Sequence, residues 1–193
     1  MISLREGSYP EGGMFSKMLT CFRTCFPENF PLVYYPCSAH DPLAHRAFPD
    51  SRVIAVDMFA ESIAELQEGG YEAYHCNVET FDIKQVAQRK ADIILFLNPQ
   101  FLPSEDFFER QLQVGGYCLC NNWSKTAGIL RKNQSFQSLG VIRSKNDMAG
   151  IPDDESTEVF LSDCEAAVWE TIVKSTGPFL PFGDYLFVFK KVF

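Results

Sequence analysis

No stretch of this chain approaches the ~18 continuous apolar residues of a membrane-spanning helix, and its opening MISLREGSYPEGG contains no apolar signal core. Both absences set the expectation of a cytoplasmic protein with no membrane partner. Basic residues are few: 17 Lys and Arg stand against 25 Asp and Glu, a formal net charge of −8. With no run of Lys or Arg to neutralise phosphates, that balance argues against a long nucleic acid as partner. A small molecule or a protein is the partner class left open. The seven cysteines form no CxxC pair and their number is odd, so neither a disulfide framework nor a common zinc pattern is indicated. The three histidines, His40, His45 and His75, scatter near Cys37, Asp41 and Cys76 at spacings that match no metal site. Cys37 with His40 could imitate a nucleophile pair, but no third group is spaced to orient it. No metal is expected.

What remains is ordinary globular material: 193 residues, 46% hydrophobic and 22% charged, enough for one substantial core. Met14, Phe15, Met18, Leu19, Phe22 and Phe26 share one helical face that Pro27 stops. The organisation read from this is an N-terminal segment, 1–29, with an amphipathic helix, followed by a single α/β domain over 30–193. In the second part apolar strands alternate with helical stretches. PLVYYPCSA, RVIAVDM, YEAYHCNV, ADIILFLNP and GGYCLCNNW read as strands. AESIAELQEGG, with Ala60, Ile63, Ala64 and Leu66 inward, reads as a helix closed by Gly69-Gly70, and DIKQVAQRK, PSEDFFERQLQ and KTAGILRKN as further helices. Strands that are apolar throughout need burial on both faces, hence a mostly parallel sheet with helices on both sides. SFQSLGVIR and DYLFVFKKVF would then add an antiparallel C-terminal strand. A helix is also expected over 162–175, and a loop over 144–158 whose Asp153-Asp154-Glu155 cluster is a solvated surface. The segment 175–185, STGPFLPFGDY, is read as core or interface.

Ligands in open α/β sheets gather outside the carboxyl ends of the strands. There this chain places Tyr35-Pro36-Cys37-Ser38-Ala39, then Asp57-Met58, Asn77-Val78-Glu79, Asn98-Pro99-Gln100-Phe101 and Asn121-Asn122-Trp123. Asp57 follows the first loop by about twenty residues, the interval at which nucleotide-binding units set a carboxylate against ribose hydroxyls.

These motifs, in this order, resemble the class I S-adenosylmethionine-dependent methyltransferases over about residues 14–193. The resemblance implies a Rossmann-like methyltransferase fold and S-adenosylmethionine as cofactor. In LVYYPCSAH, the residues Tyr35, Pro36, Cys37, Ser38 and Ala39 would line the cofactor, although Pro36, Ser38 and His40 replace the family's glycines. Tyr34 or Tyr35 replaces its acid. In VIAVDM, Asp57 would take the ribose hydroxyls and Met58 would pack on the adenine. In CNVETF, Asn77 or Glu79 would meet the adenine amino group and Val78 its ring. NPQF is similar to the family's Asn-Pro-Pro-aromatic motif, which implies Asn98 as the catalytic positioning residue and Pro99 and Phe101 as substrate contacts. Methyl transfer to a small or planar substrate follows from the resemblance. The altered first loop keeps a second function class open: a catalytically inactive methyltransferase-like domain serving as a protein-binding or structural module.

Overall fold

The chain is described by a computed structural model over residues 14–97, 99, 101–104, 106–121, 126–144, 158–161 and 185–193. Among the described residues eight strands form one sheet in the order β3-β2-β1-β4-β5-β8-β6-β7. In chain order the elements are α1 (Met14–Cys25), β1 (Leu32–Pro36), α2 (Leu43–Ala47), β2 (Arg52–Asp57), α3 (Ala60–Glu68), β3 (Ala73–His75), α4 (Lys84–Ala87) and β4 (Ala91–Phe96). Then follow α5 (Phe107–Gln111), β5 (Leu112–Cys120), α6 (Thr126–Lys132), β6 (Phe136–Ser144), β7 (Glu158–Leu161) and β8 (Tyr185–Lys191). β1 pairs in parallel with β2 and β4, β2 with β3, and β4 with β5. β8 enters antiparallel between β5 and β6, and β7 adds an antiparallel edge. The sheet is therefore mostly parallel with an antiparallel C-terminal strand, as the alternating pattern predicts.

The two sides of each strand explain its composition. Leu32 and Tyr34 of β1, Ile94 and Phe96 of β4, Cys118 and Cys120 of β5, and Phe187 and Phe189 of β8 pack in one cluster with α5 and α6. Their neighbours Val33, Tyr35, Ile93, Leu95, Tyr117, Leu119, Leu186 and Val188 pack in another, under Phe15, Met18, Leu19 and Phe22 of α1. A strand covered on both faces has no polar side to show, so alternation disappears. α3 buries only Ile63 and Leu66 against Ala55 and Ala73; Ala60 and Ala64 face outward. It closes with paired hydrogen bonds, Gly70 N–H to Gln67 C=O and Tyr71 N–H to Leu66 C=O, with Gly70 at φ 82°, a terminus that requires glycine.

Two elements differ from the sequence pattern. The helix expected from Pro103 onward is short, and its last residues belong to β5, which begins at Leu112. Gly115 and Gly116, at which the sequence pattern starts the strand, lie inside it. The register shifts here between Ala91 and Ile93 of β4, and a Cβ on Gly116 would stand 2.8 Å from the Asp92 carbonyl oxygen. Only glycine lets the two strands pass this closely. The helix over DIKQVAQRK shrinks to four residues because Gln88 turns into the left-handed region, φ 58°. The helix expected over 162–175, the Asp153–Glu155 cluster and the segment 175–184 lie outside the described residues. Among the described residues no helix is long and apolar enough to cross a membrane.

Candidate functional site

Five parallel strands end side by side, and the loop after β1 is the centre of the edge they form. Its path is set by β2. Cys37 N–H donates to the Val56 carbonyl at 2.8 Å and Ser38 N–H to the same oxygen at 3.4 Å, while Asp41 N–H closes a turn on the Ser38 carbonyl at 3.0 Å. Cys37 stands at φ 58° and Ala39 at φ 47°. These are left-handed conformations, which glycine adopts freely and other residues avoid. The glycines are missing from the sequence, yet the backbone takes the shape glycines would take.

Asp57 holds it there. The carboxylate reaches across from the end of β2 and accepts Ala39 N–H on Oδ2 at 2.8 Å and Phe59 N–H on Oδ1 at 3.0 Å. Its own carbonyl accepts Cys76 N–H at 2.9 Å, tying in the end of β3. Asp57 is 5% exposed and, among the described residues, makes backbone hydrogen bonds rather than an ion pair. Each carboxylate oxygen offers two lone pairs, so each keeps capacity for a hydroxyl donor. Met58 and Phe59, next in the chain, are 65% and 52% exposed. Two large apolar side chains left in solvent beside a buried carboxylate are what a planar, partly apolar ligand would cover.

The remaining predicted residues fall into three groups. Asn77 is exposed beyond β3 and folds its side-chain carbonyl onto Glu79 N–H at 2.9 Å; Val78 is buried beneath it in the α5–α6 face of the core. Pro36 and Ser38 are buried, while Cys37 and Ala39 are partly exposed. Tyr35 is turned away: its ring is 1% exposed and packs in the α1 cluster, so only its backbone stands at the strand end. Pro99 is buried. Phe101 lies edge-on to Phe96 and Phe107, with ring centres 5.7 and 6.1 Å apart, and so leans on the core. Asn98 lies outside the described residues, as do Gln100, Asn122 and Trp123.

The sequence reading passed over two residues at this edge. Phe59 and Leu102, the latter 62% exposed, directly follow predicted site residues, and their solvent exposure is a tertiary fact with no sequence mark. Tyr34 lies on the opposite side of β1 from Tyr35, in the cluster that Cys37 and Cys76 also join. Behind the loop, Asp41 accepts Leu43 N–H at 2.9 Å to open α2. His45 of that helix packs 4.4 Å from the Tyr71 ring. Burial holds the imidazole down at about 4, so it is neutral near pH 7. Two open hollows of about 410 and 240 Å³, sharing Arg23, Pro27 and Glu28, lie at the other end of the strands and include none of the predicted site residues. Among the described residues no group of three or more His, Cys, Asp or Glu is placed to hold a metal ion.

No protein-family model matches the chain, and no curated protein is similar to it in sequence. Solved structures are similar in shape. The N-methyltransferase NodS from Bradyrhizobium japonicum WM9 superposes with a TM-score of 0.58 at 12% identity, covering 93% of this chain and 95% of its own. The plantazolicin methyltransferase BpumL, in complex with a pentazolic desmethylPZN analog and SAH, gives 0.56 at 9% identity, covering 92% and 83%. Residues 942–1257 of the StiE O-methyltransferase give 0.52 at 10% identity, covering 89% and 72%. At such identities what is shared is the fold: the chain has the Rossmann-like fold of class I methyltransferases.

Proposed function

We propose that the chain is an S-adenosylmethionine-dependent methyltransferase acting on a small or planar substrate. The observation that carries the reading is the loop after β1. Cys37 and Ala39 hold left-handed backbone without glycine, and the Asp57 carboxylate is spent on keeping Ala39 there. Left-handed residues other than glycine cost about 1–2 kcal/mol each. A chain that had kept only a scaffold could relax a surface loop at this edge. The SAH bound to BpumL supports the same ligand class on the same fold.

The residues present fit that cofactor. Asp57 would accept hydrogen bonds from the ribose hydroxyls on the lone pairs that Ala39 and Phe59 leave. Met58 and Phe59 would cover the adenine from outside, with Val78 forming its floor and Asn77 or Glu79 at its polar edge. Pro36, Cys37, Ser38 and Ala39 would shape the wall against the amino-acid end. S-adenosylmethionine, when bound, supplies an electrophilic methyl group for direct transfer to a nucleophile. Asn98 and Pro99 would orient that nucleophile, and Phe101 would bound the substrate. The protein's contribution is position and exclusion of water, with no covalent step of its own.

Thermal unfolding with and without S-adenosylhomocysteine tests this. A ligand at a hundred times its dissociation constant adds about 2.7 kcal/mol to stability. For a chain of this length that is a rise of roughly 5–11 °C. A well-folded protein whose midpoint stays put at millimolar ligand would remove the enzyme reading and leave the domain as a protein-binding or structural module.

A further inference from the structure

Tyr34 or Tyr35 stands where the first motif of the resembled family has an acid, and of the two it is Tyr34 that packs in the same cluster as Cys37 and Cys76. It is 0% exposed. The ring stacks on Phe81 at 5.7 Å with planes 24° apart, and leans on Phe107 at 6.4 Å. The hydroxyl has no hydrogen-bond partner among the described residues. Burial is the main cause that pushes its ionisation well above the ordinary tyrosine range, with the neighbouring Cys37 and Cys76 thiols adding to it. It is therefore a neutral hydrogen-bond donor and acceptor. A phenylalanine would fill the same space without stranding a polar atom, and a sealed, unpartnered hydroxyl costs stability. The ionisable groups around it are Cys37 and Cys76, just past β1 and β3, the strands that flank that of Asp57, together with Arg110 and Asp82.

We propose that the Tyr34 hydroxyl is a cofactor contact, donating to an uncharged acceptor on the adenosine when the ligand binds. The inference rests on the methyltransferase reading above. The adenosine end is indicated because the ring stacks on Phe81 and neighbours Cys76, in the 76–81 connection where Asn77 and Val78 would meet the adenine. An uncharged acceptor suits the apolar and aromatic wall. Because the phenol is sealed before binding, the contact requires the side chains over it to rotate aside when the ligand enters. Tyr34 thus gives up stability in the empty protein for affinity in the loaded one.

The test is Tyr34→Phe, measured for unfolding midpoint without ligand and for binding of S-adenosylhomocysteine and of 5′-methylthioadenosine by calorimetry. The expected result is a midpoint unchanged or raised by a few degrees, with both ligands weakened by about 3–10-fold. Tyr117→Phe, altered on the α1 face where the hydroxyl donates to Glu28 at 3.0 Å, should leave both affinities within twofold. Wild-type binding with Tyr34→Phe affinities within twofold would overturn the proposal while sparing the methyltransferase reading. A midpoint that drops by several degrees would overturn it too, since the hydroxyl would then have a protein partner. Weakening of S-adenosylhomocysteine alone would refute the adenosine assignment. Wild type that binds neither ligand at millimolar concentration would bring down both readings.

Discussion

Replacing Asp57 with alanine should weaken the fold before it says anything about a ligand. The carboxylate accepts two backbone N–H groups, from Ala39 at 2.8 Å and Phe59 at 3.0 Å, from a position 5% exposed. Each buried donor left without a partner costs about 1–3 kcal/mol. Both amides lie at the rim of the sheet, where water can recover part of that loss, so the expected total is about 2–4 kcal/mol. For a chain of this length the midpoint should fall by roughly 4–16 °C. Asp57→Asn keeps one acceptor but turns an amide N–H₂ toward the other donor, and should cost about half as much. The decisive assay is urea unfolding of Asp57→Ala, Ala39→Gly and the double variant. Glycine tolerates the left-handed conformation without a tether, so the double variant should lose about 0.5–1.5 kcal/mol less than the sum of the single changes. Additive losses, or an Asp57→Ala variant within 0.5 kcal/mol of wild type, would refute the claim that Asp57 holds the loop.

Three other outcomes follow from the same structure. Cys37→Gly and Ala39→Gly should each raise stability by about 0.5–1 kcal/mol in urea, against glycine's usual effect, because relief of φ 58° and φ 47° outweighs the added freedom of the unfolded chain. Acid should destabilise the fold through His45, whose folded value of about 4 lies below its unfolded 6.5. Its neutral form is the folded one, so its stability is complete above pH ~6.5 and is lost as pH falls toward about 4. Allowing for partial exposure, the loss is about 1–3 kcal/mol, and a His45→Leu variant should show a flatter pH profile there. Gly116→Ala should cost about 1–3 kcal/mol by thermal or urea unfolding, since its Cβ would stand 2.8 Å from the Asp92 carbonyl oxygen and 3.1 Å from that of Gln113.

The fold was legible where composition follows burial. β4, buried at all six positions, could be nothing but a central strand, and the closing aromatic strand announces itself by the same run of apolar residues. The short helices were less legible. α4 stops where Gln88 turns left-handed, and α5 gives way to β5 where Leu112 becomes extended at φ −100° and ψ 135°, choices that tertiary packing makes over local propensity. At the site, Asp57 was legible from its spacing, and the structure brings it to the loop it was expected to face. The loop's conformation was not. Pro36, Ser38 and His40 in place of glycines suggest a rewritten path, whereas the left-handed positions fall on Cys37 and Ala39, between those substitutions. The choice between Tyr34 and Tyr35 also needed coordinates. Adjacent strand residues face opposite sides, and which side meets α1 is decided by the whole sheet.

Amide spectra of the ¹⁵N-labelled protein titrated with S-adenosylhomocysteine test the central claim most directly. The Ala39 and Phe59 resonances, whose N–H groups sit on Asp57, should shift progressively and saturate together at one-to-one stoichiometry. Spectra that do not change up to millimolar ligand, or saturable shifts confined to the far end of the strands around Arg23 and Glu28, would contradict it.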